Sequence, residues 1–263
     1  GGGSGGSGGS GGDGGSGDHP ASTFKPTAVS QLRTPRPPIV TLPPGASVFS
    51  IDVECVATGL RHNDRAIAQI SLVDSRGGVH ANLYVKPEGE VTSHLTPLTG
   101  LTADLLTERG VPLSEALATL RSKLPQSAVL VGQNILKDVQ WLGLTEGADF
   151  AMMVDLAGLL RVWNRATARY AYFGLDHFAK VWLGGDQARA DGEAHDAVTD
   201  AIKSVRLFEA YTRVMRDPAA VAEIGASVLA TPVAPSFAKL NPTFEGVCQG
   251  NKKTCKCGAP FYS

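Results

Sequence analysis

Several things are scarce in this chain, and each scarcity narrows what it can be. Neither sign of charge is in excess: 24 Lys and Arg stand against 25 Asp and Glu, so bulk electrostatics announce no nucleic-acid partner. They exclude none either, because carboxylates gathered around catalytic metals subtract from a basic rim and the total hides the pattern. No apolar run reaches the ~20 residues of a bilayer-spanning helix, and no membrane partner is expected. Cysteine is sparse. Of four in 263 residues, Cys55 lies in a candidate core strand and Cys248, Cys255 and Cys257 cluster near the end, which is not a disulfide framework. A reducing compartment, nucleus or cytoplasm, is the expectation; the chain starts at Gly1 and not at Met, so an organelle remains open. No internal repeat is visible.

Apolar residues are missing altogether from the first stretch, 1–17, which is nearly all Gly and Ser and cannot bury a core. Residues 18–44 are rich in Pro, Thr and Ser, including Pro35-Arg36-Pro37-Pro38, and read as an extended continuation of that tail. The expected organisation is a disordered tail over 1–45, one domain over 46–216 and a C-terminal extension over 217–263 carrying the Cys cluster. Within the domain, alternation predicts strands over 48–56, 66–73 and 79–85, an antiparallel meander with a turn at 74–78. Short apolar runs at 128–131 and 152–154 are further strands. Helical spacing predicts helices over 102–109, 113–124, 135–142, 156–163, 175–183 and 197–215. Three strands followed by strands alternating with helices give an α/β fold, a mixed sheet flanked by helices.

The chemistry starts in the first strand, Val48-Phe49-Ser50-Ile51-Asp52-Val53-Glu54-Cys55-Val56. Side chains alternate across a strand, so Asp52 and Glu54 share a face about 7 Å apart while Ile51, Val53 and Cys55 take the other. Two carboxylates in a low-dielectric strand repel each other and lose hydration, a cost that a shared hard cation removes most directly. Asp138 lies among Ile135, Val139 and Leu142, the apolar face of its helix. It points where a core residue should, although an inward Asp can also cap a neighbouring helix or pair with Lys137 or an Arg. Asp200 falls on the inward stripe of Val198, Ala201, Ile202 and Val205. His195 precedes that helix after Ala190-Asp191-Gly192, read as a flexible loop, and is either a general base that swings over the site or a helix cap.

Together these residues resemble the DEDD exonucleases of the His subtype, which share a ribonuclease H-like fold with a mixed five-stranded sheet. Asp52-Val53-Glu54 matches the first motif, Asn134 and Asp138 the second, and His195-x4-Asp200 the third, over about residues 47–213. The Tyr subtype would have tyrosine where Asp196 stands. Asp52-Val53-Glu54-Cys55-Val56-Ala57-Thr58-Gly59, Tyr84-Val85-Lys86-Pro87 and Thr99-Gly100-Leu101-Thr102 look closer to the RNA exonuclease 4 and interferon-stimulated exonuclease branch than to proofreading subunits.

The resemblance implies a metal-dependent 3′→5′ exonuclease releasing nucleoside 5′-monophosphates from RNA, or also from single-stranded DNA. Asp52, Glu54, Asp138 and Asp200 would hold two Mg²⁺ or Mn²⁺ ions about 4 Å apart, with Asp52 bridging them. His195 would take the proton from the attacking water. Cys55, Val56, Thr58, Leu98 and Asn134 would hold the terminal nucleotide. Three alternatives stay open: a non-catalytic nucleic-acid-binding module, a DNA-directed 3′→5′ exonuclease, and a ribonuclease H-type endonuclease, which has no need of His195.

Cys248, Cys255 and Cys257 suggest a structural Zn²⁺ lacking a visible fourth ligand; the alternative is a disordered basic tail whose Lys252, Lys253 and Lys256 touch phosphates. Tyr170, Tyr172 and Phe173 are candidates for stacking on bases, Phe173 being better placed for the core. Trp141, Trp163 and Trp182 are expected to pack in apolar helices.

Overall fold

The computed structural model describes residues 35–185 and 193–261; the Gly/Ser stretch, the tail up to residue 34 and the loop expected over 190–192 lie outside the described residues. Strands β1 (Ser47–Ala57), β2 (Arg65–Asp74) and β3 (Val79–Tyr84) form the expected antiparallel meander. Its second turn is built by Asp74, whose Oδ1 accepts from the amides of Arg76 and Gly78, with Gly77 at φ 82°, a conformation glycine adopts freely. Strands β4 (Ala128–Gly132) and β5 (Met152–Asp155) continue the sheet in parallel from the other side of β1, in the order β3-β2-β1-β4-β5. The result is a ribonuclease H-like mixed five-stranded sheet with helices on both faces.

Helices α1 (Thr96–Thr99), α2 (Ala103–Arg109), α3 (Leu113–Lys123) and α4 (Leu136–Trp141) follow β3 and β4. Ala116 and Leu120 of α3 and Val139 of α4 join Phe49, Ile51, Ile70, Leu72 and Leu130 in the core on one face of the sheet. Beyond β5 come α5 (Leu156–Leu159), α6 (Leu175–Trp182) and α7 (Ala197–Val214). On the other face Val129, Val131 and Val154 meet Phe178, Val205 and Phe208. Asp196 caps α7 by accepting from the Thr199 amide at 2.9 Å.

Helix α7 crosses β1 and β2, and its side toward the sheet is made of small residues: Ala197, Ala201 and Ser204 are all buried. That lets the helix approach until the Ser71 hydroxyl on β2 donates to the Ala197 carbonyl at 2.7 Å. Close approach brings the first turn of α7 over the polar stretch of β1.

Three regions differ from what the sequence leads one to expect: the stretch after β5, the extension and the end of the N-terminal tail. The helix expected over 156–163 ends at Leu159, and Val162–Asn164 (β6) pairs with Arg169–Ala171 (β7) as a hairpin. Local turn chemistry overrides the apolar spacing: Asn164 Oδ1 accepts from the Ala166 amide at 2.9 Å, and Trp163 packs edge-on against Tyr170. In the extension, α8 (Pro218–Ala230) packs on α6, α7 and β6. Weak periodicity and the interrupting Pro232, Pro235 and Pro242 beyond it hid this helix, yet Pro218 stands in the first turn, where proline starts a helix, behind the Asp217 cap. Further on, α9 (Phe237–Leu240) leads to a small hairpin of β8 (Thr243–Phe244) and β9 (Val247–Cys248). Within the stretch expected to be tail, Pro38 accepts from the Tyr211 hydroxyl at 2.7 Å, and Val40 and Leu42 lie against the core.

Enlarging the α7 contact tests this packing. Ala201→Leu should destabilise the protein by about 1–3 kcal/mol through overpacking, read as a lower midpoint in urea unfolding. An unchanged midpoint would mean that α7 does not lie this close to the sheet.

Candidate active site

The middle of β1 carries the polar stretch. Asp52 pairs with Ser71 and Glu54 with Gln69 on β2, and directly opposed side chains share a face, so these four residues and Ser50 face the start of α7. Ser50, Gln69 and Ser71 are buried. Gln69 Nε2 donates to Asn82 Oδ1 and to Asp196 Oδ2 at 3.0 and 3.2 Å, tying the α7 cap to the sheet beside Glu54. Immediately after Glu54 the register shifts, Cys55 pairing with Ile67. This bulge on β2 twists the end of β1 away from regular pairing.

Asp138 reaches Asp52 from the other layer. Pairing of β1 with β4 stops at Ser50 and Val131, and the rest of that edge of β1 is left for α4. Asp138 accepts from the Val53 amide there. Ile135, Val139 and Leu142 are buried as the spacing implied, which fixes the rotation of α4 and aims Asp138 at the strand.

From α7 comes Asp200, buried at 4% exposure. Its Oδ2 is 2.8 Å from His195 Nδ1 and its Oδ1 is 3.1 Å from Lys203 Nζ. His195 is held by its own amide, which donates to the Leu98 carbonyl at 2.6 Å. Ligand atoms of Glu54, His195 and Asp200 lie within 4.8 Å of one another. Sequence reasoning missed Lys203, which is buried between Asp200 and Asp176, 2.7 Å from the latter. Its signal was present: a Lys three positions after Asp200 shares that helix side. Asp176 on α6 had no such signal.

Asp52 is the electrostatic centre. Burial first, then the charges of Asp138, Glu54, Asp200 and Asp196, push its carboxyl well above the usual range. Asp138 is pushed up to about 7, mainly by burial, against the lowering effect of the Val53 amide. Hard oxygen donors that repel one another at close quarters fit a divalent cation, which replaces the protons that otherwise relieve them.

The expected nucleotide-contacting residues are scattered in character. Cys55 is half-buried and its thiol is pushed up to about 12 by burial. The Val56 side chain is fully buried with Ala68, Leu101 and Leu106; only its backbone can face a ligand. The Thr58 amide already donates to Asp64. Leu98 is half-buried beside His195, and Asn134 is exposed, at φ 56°, with its amide on Asp155 Oδ1 at 2.9 Å. Tyr172 is exposed at 60%, whereas Phe173 stacks on His177. Trp141, expected to pack, is 46% exposed on α4, because the short helix turns only Val139 and its neighbours inward. Trp163 lies half-buried on the β6–β7 hairpin, and Trp182 packs beside Tyr211.

The raised carboxyls make stability pH-dependent with a definite sign. Between the ordinary value of 3.8 and about 7, native Asp138 keeps a proton that the unfolded chain releases, so raising pH through that window favours unfolding. The melting temperature of chelator-treated protein should fall across it, and Asp138→Asn should reduce the slope. A wild-type midpoint that rises, or an unaltered slope in the variant, would contradict the assignment.

No protein-family profile matches the chain. Among curated relatives, human RNA exonuclease 5 is 30% identical over 183 residues, 70% of this chain and 22% of its own length. An exonuclease of Schizosaccharomyces pombe is 27% identical over 167 residues, 64% and 25% of the two chains. RNA exonuclease 4 of Mycosarcoma maydis is 28% identical over 160 residues, 61% and 41%. The chain thus spans about a quarter of the length of the first two. Among solved structures, the pseudoubiquitin hydrolase-RNA exonuclease module of Saccharomyces cerevisiae Pan2 superposes with a TM-score of 0.57 at 19% identity, over 74% of this chain and 33% of that one. Acids on β1, α4 and α7 of a ribonuclease H-like sheet, in a segment similar to RNA exonucleases of other organisms, agree with the resemblance of its motifs to the DEDD-type exonucleases.

Proposed function

We propose that the chain is a 3′→5′ exoribonuclease of the His subtype that hydrolyses phosphodiester bonds from the 3′ end and releases nucleoside 5′-monophosphates. The observation that carries this is the gathering of Glu54, Asp138 and Asp200 around Asp52, with His195 bonded to Asp200 at 2.8 Å. Asp52, Glu54, Asp138 and Asp200 form the ligand set for two divalent cations, Mg²⁺ or Mn²⁺. When bound, these supply Lewis acidity and lower the pKa of water.

The remaining work falls to the protein. His195 presents one ring nitrogen to Asp200, which orients the imidazole and leaves Nε2 to accept the proton of the attacking water. Its side chain is 40% exposed, so substrate and water reach it. Lys203 holds Asp200 in place. Leu98, through its carbonyl, sets where the His195 backbone enters the site. The exposed Asn134 and the backbone of 55–58 contact the terminal nucleotide.

RNA is favoured over DNA because the named relatives are RNA exonucleases and the Pan2 module has been solved with short RNAs. Work in a reducing compartment, nucleus or cytoplasm, accords with the free thiols among the described residues. A structural Zn²⁺ at Cys248, Cys255 and Cys257 is a separate part of the proposal, outside the reaction.

5′-labelled single-stranded RNA with Mg²⁺ or Mn²⁺ should shorten in a ladder from the 3′ end, and a chelator should stop it. Asp52→Asn should abolish the ladder, and His195→Ala should slow it by about 10²–10⁴-fold. Binding without shortening would favour a non-catalytic module, internal cuts an endonuclease, and faster loss of single-stranded DNA a DNA-directed enzyme.

A further inference from the structure

Far from the acids in sequence, the turn between β1 and β2 meets the last residues of the chain. His62 from that turn and Cys248, Cys255 and Cys257 from the extension put one ligand atom each within 4.8 Å of all the others. The sulfurs of Cys248 and Cys255, and of Cys255 and Cys257, are 3.5 Å apart, and His62 Nδ1 is 3.1 Å from Cys257 Sγ and 3.5 Å from Cys255 Sγ. These separations are too long for a disulfide, whose sulfurs are about 2.05 Å apart. They approach the edges of a tetrahedron around one ion with Zn–S bonds of about 2.3 Å, which are about 3.8 Å long.

The surroundings are arranged for a ligand. His62 Nε2 lies 3.2 Å from the Pro260 carbonyl. A carbonyl only accepts, so Nε2 carries the proton and Nδ1 turns its lone pair toward the sulfurs, the orientation that a metal-bound imidazole needs. Asn63 Nδ2 donates to the same carbonyl at 2.9 Å, and Phe261 stacks on the His62 ring. Gly258, just after Cys257, has φ 76°, a left-handed backbone that glycine adopts freely. Gly250 has φ 71°, and a side chain there would lie 3.4 Å from His62. On the strand side, the Cys248 amide donates to the Leu60 carbonyl and Arg65 Nη2 donates to the Cys248 carbonyl.

We infer that His62, Cys248, Cys255 and Cys257 bind one Zn²⁺ in a closed Cys₃His site that clamps the C-terminal extension to the β1–β2 turn. His62 is the fourth ligand that the sequence leaves unidentified. Three thiolates and an imidazole select a borderline-soft tetrahedral ion over the hard cations suited to the carboxylates. Four protein ligands leave no open position, so the site is structural.

The clamp braces a wall of the active site. A hairpin as short as β8–β9 has no independent stability, and the metal supplies what its apolar contacts lack. Val247, next to Cys248, is buried against Ala57 and Leu95, with Leu98 packed on the same cluster. Glu245 accepts from the Ser93 hydroxyl, and Ser93 pairs with Ala57 at the end of β1. Through Leu98, whose carbonyl holds the His195 amide, the extension supports the segment that positions the base.

Metal content tests the site apart from catalysis. The full chain purified from zinc-supplemented cells should carry about one Zn²⁺, and Asp52→Asn should carry as much, whether or not the chain is a nuclease. His62→Ala and Cys257→Ser should fall by at least about tenfold. Exchanged Co²⁺ should show thiolate charge-transfer and tetrahedral ligand-field bands. His62→Cys should keep a tetrahedral spectrum with stronger charge transfer, which preserves the test if His62→Ala is insoluble. Trypsin should cut at Lys252, Lys253 and Lys256 only after zinc is removed. Wild-type protein that takes up no zinc, a Cys248–Cys255 disulfide in the mass spectrum, or His62→Ala with undiminished zinc would overturn the site. Equal cleavage with and without zinc would overturn the clamp.

Discussion

Repulsion among the carboxylates around Asp52 is the constraint that the rest of this structure accommodates. Burial drives the carboxyls of Asp52 and Asp138 upward, and for Asp52 the charges of Asp138, Glu54, Asp200 and Asp196 add to it. Such an arrangement costs stability and persists only where the surrounding packing over-determines it. The packing here does so. Small residues on α7 allow the helix to press on the sheet, the unpaired edge of β1 receives Asp138, and Ile135 with Leu142 locks the rotation of α4.

A buried cation partly offsets that cost on one side of the cluster. Lys203 binds Asp176 and Asp200 at once, at 2.7 and 3.1 Å. His195 occupies the other oxygen of Asp200. The α7 part of the cluster thus has a buried cation of its own beside it.

Much of the site was legible in the primary structure because period and spacing carry it. Asp52 and Glu54 are two apart in an apolar strand, so they had to share a face. Asp138 and Asp200 interrupt helical stripes, so they had to point inward. The strands of the sheet were equally plain, being short apolar runs separated by turn residues. What was not legible depended on contacts distant in sequence. Asn164 turned a predicted helix into a hairpin, Pro218 opened a helix in a segment that reads as broken, and Trp141 was left outside by a helix too short to bury both sides. Nothing near His62 marks it as a partner for cysteines nearly two hundred residues away.

The amino-acid sequence by itself determined the identity of the acids, the side of the strand or helix each one takes, and the order in which strands enter the sheet. These follow from backbone period and burial, which are local properties of a chain. Only the tertiary structure decided that the acids converge, that Lys203 is enclosed between Asp176 and Asp200, and that His62 faces three sulfurs. Those are meetings between elements, set by how closely α7 and the C-terminal extension approach the sheet, and no local pattern encodes a distance across the core.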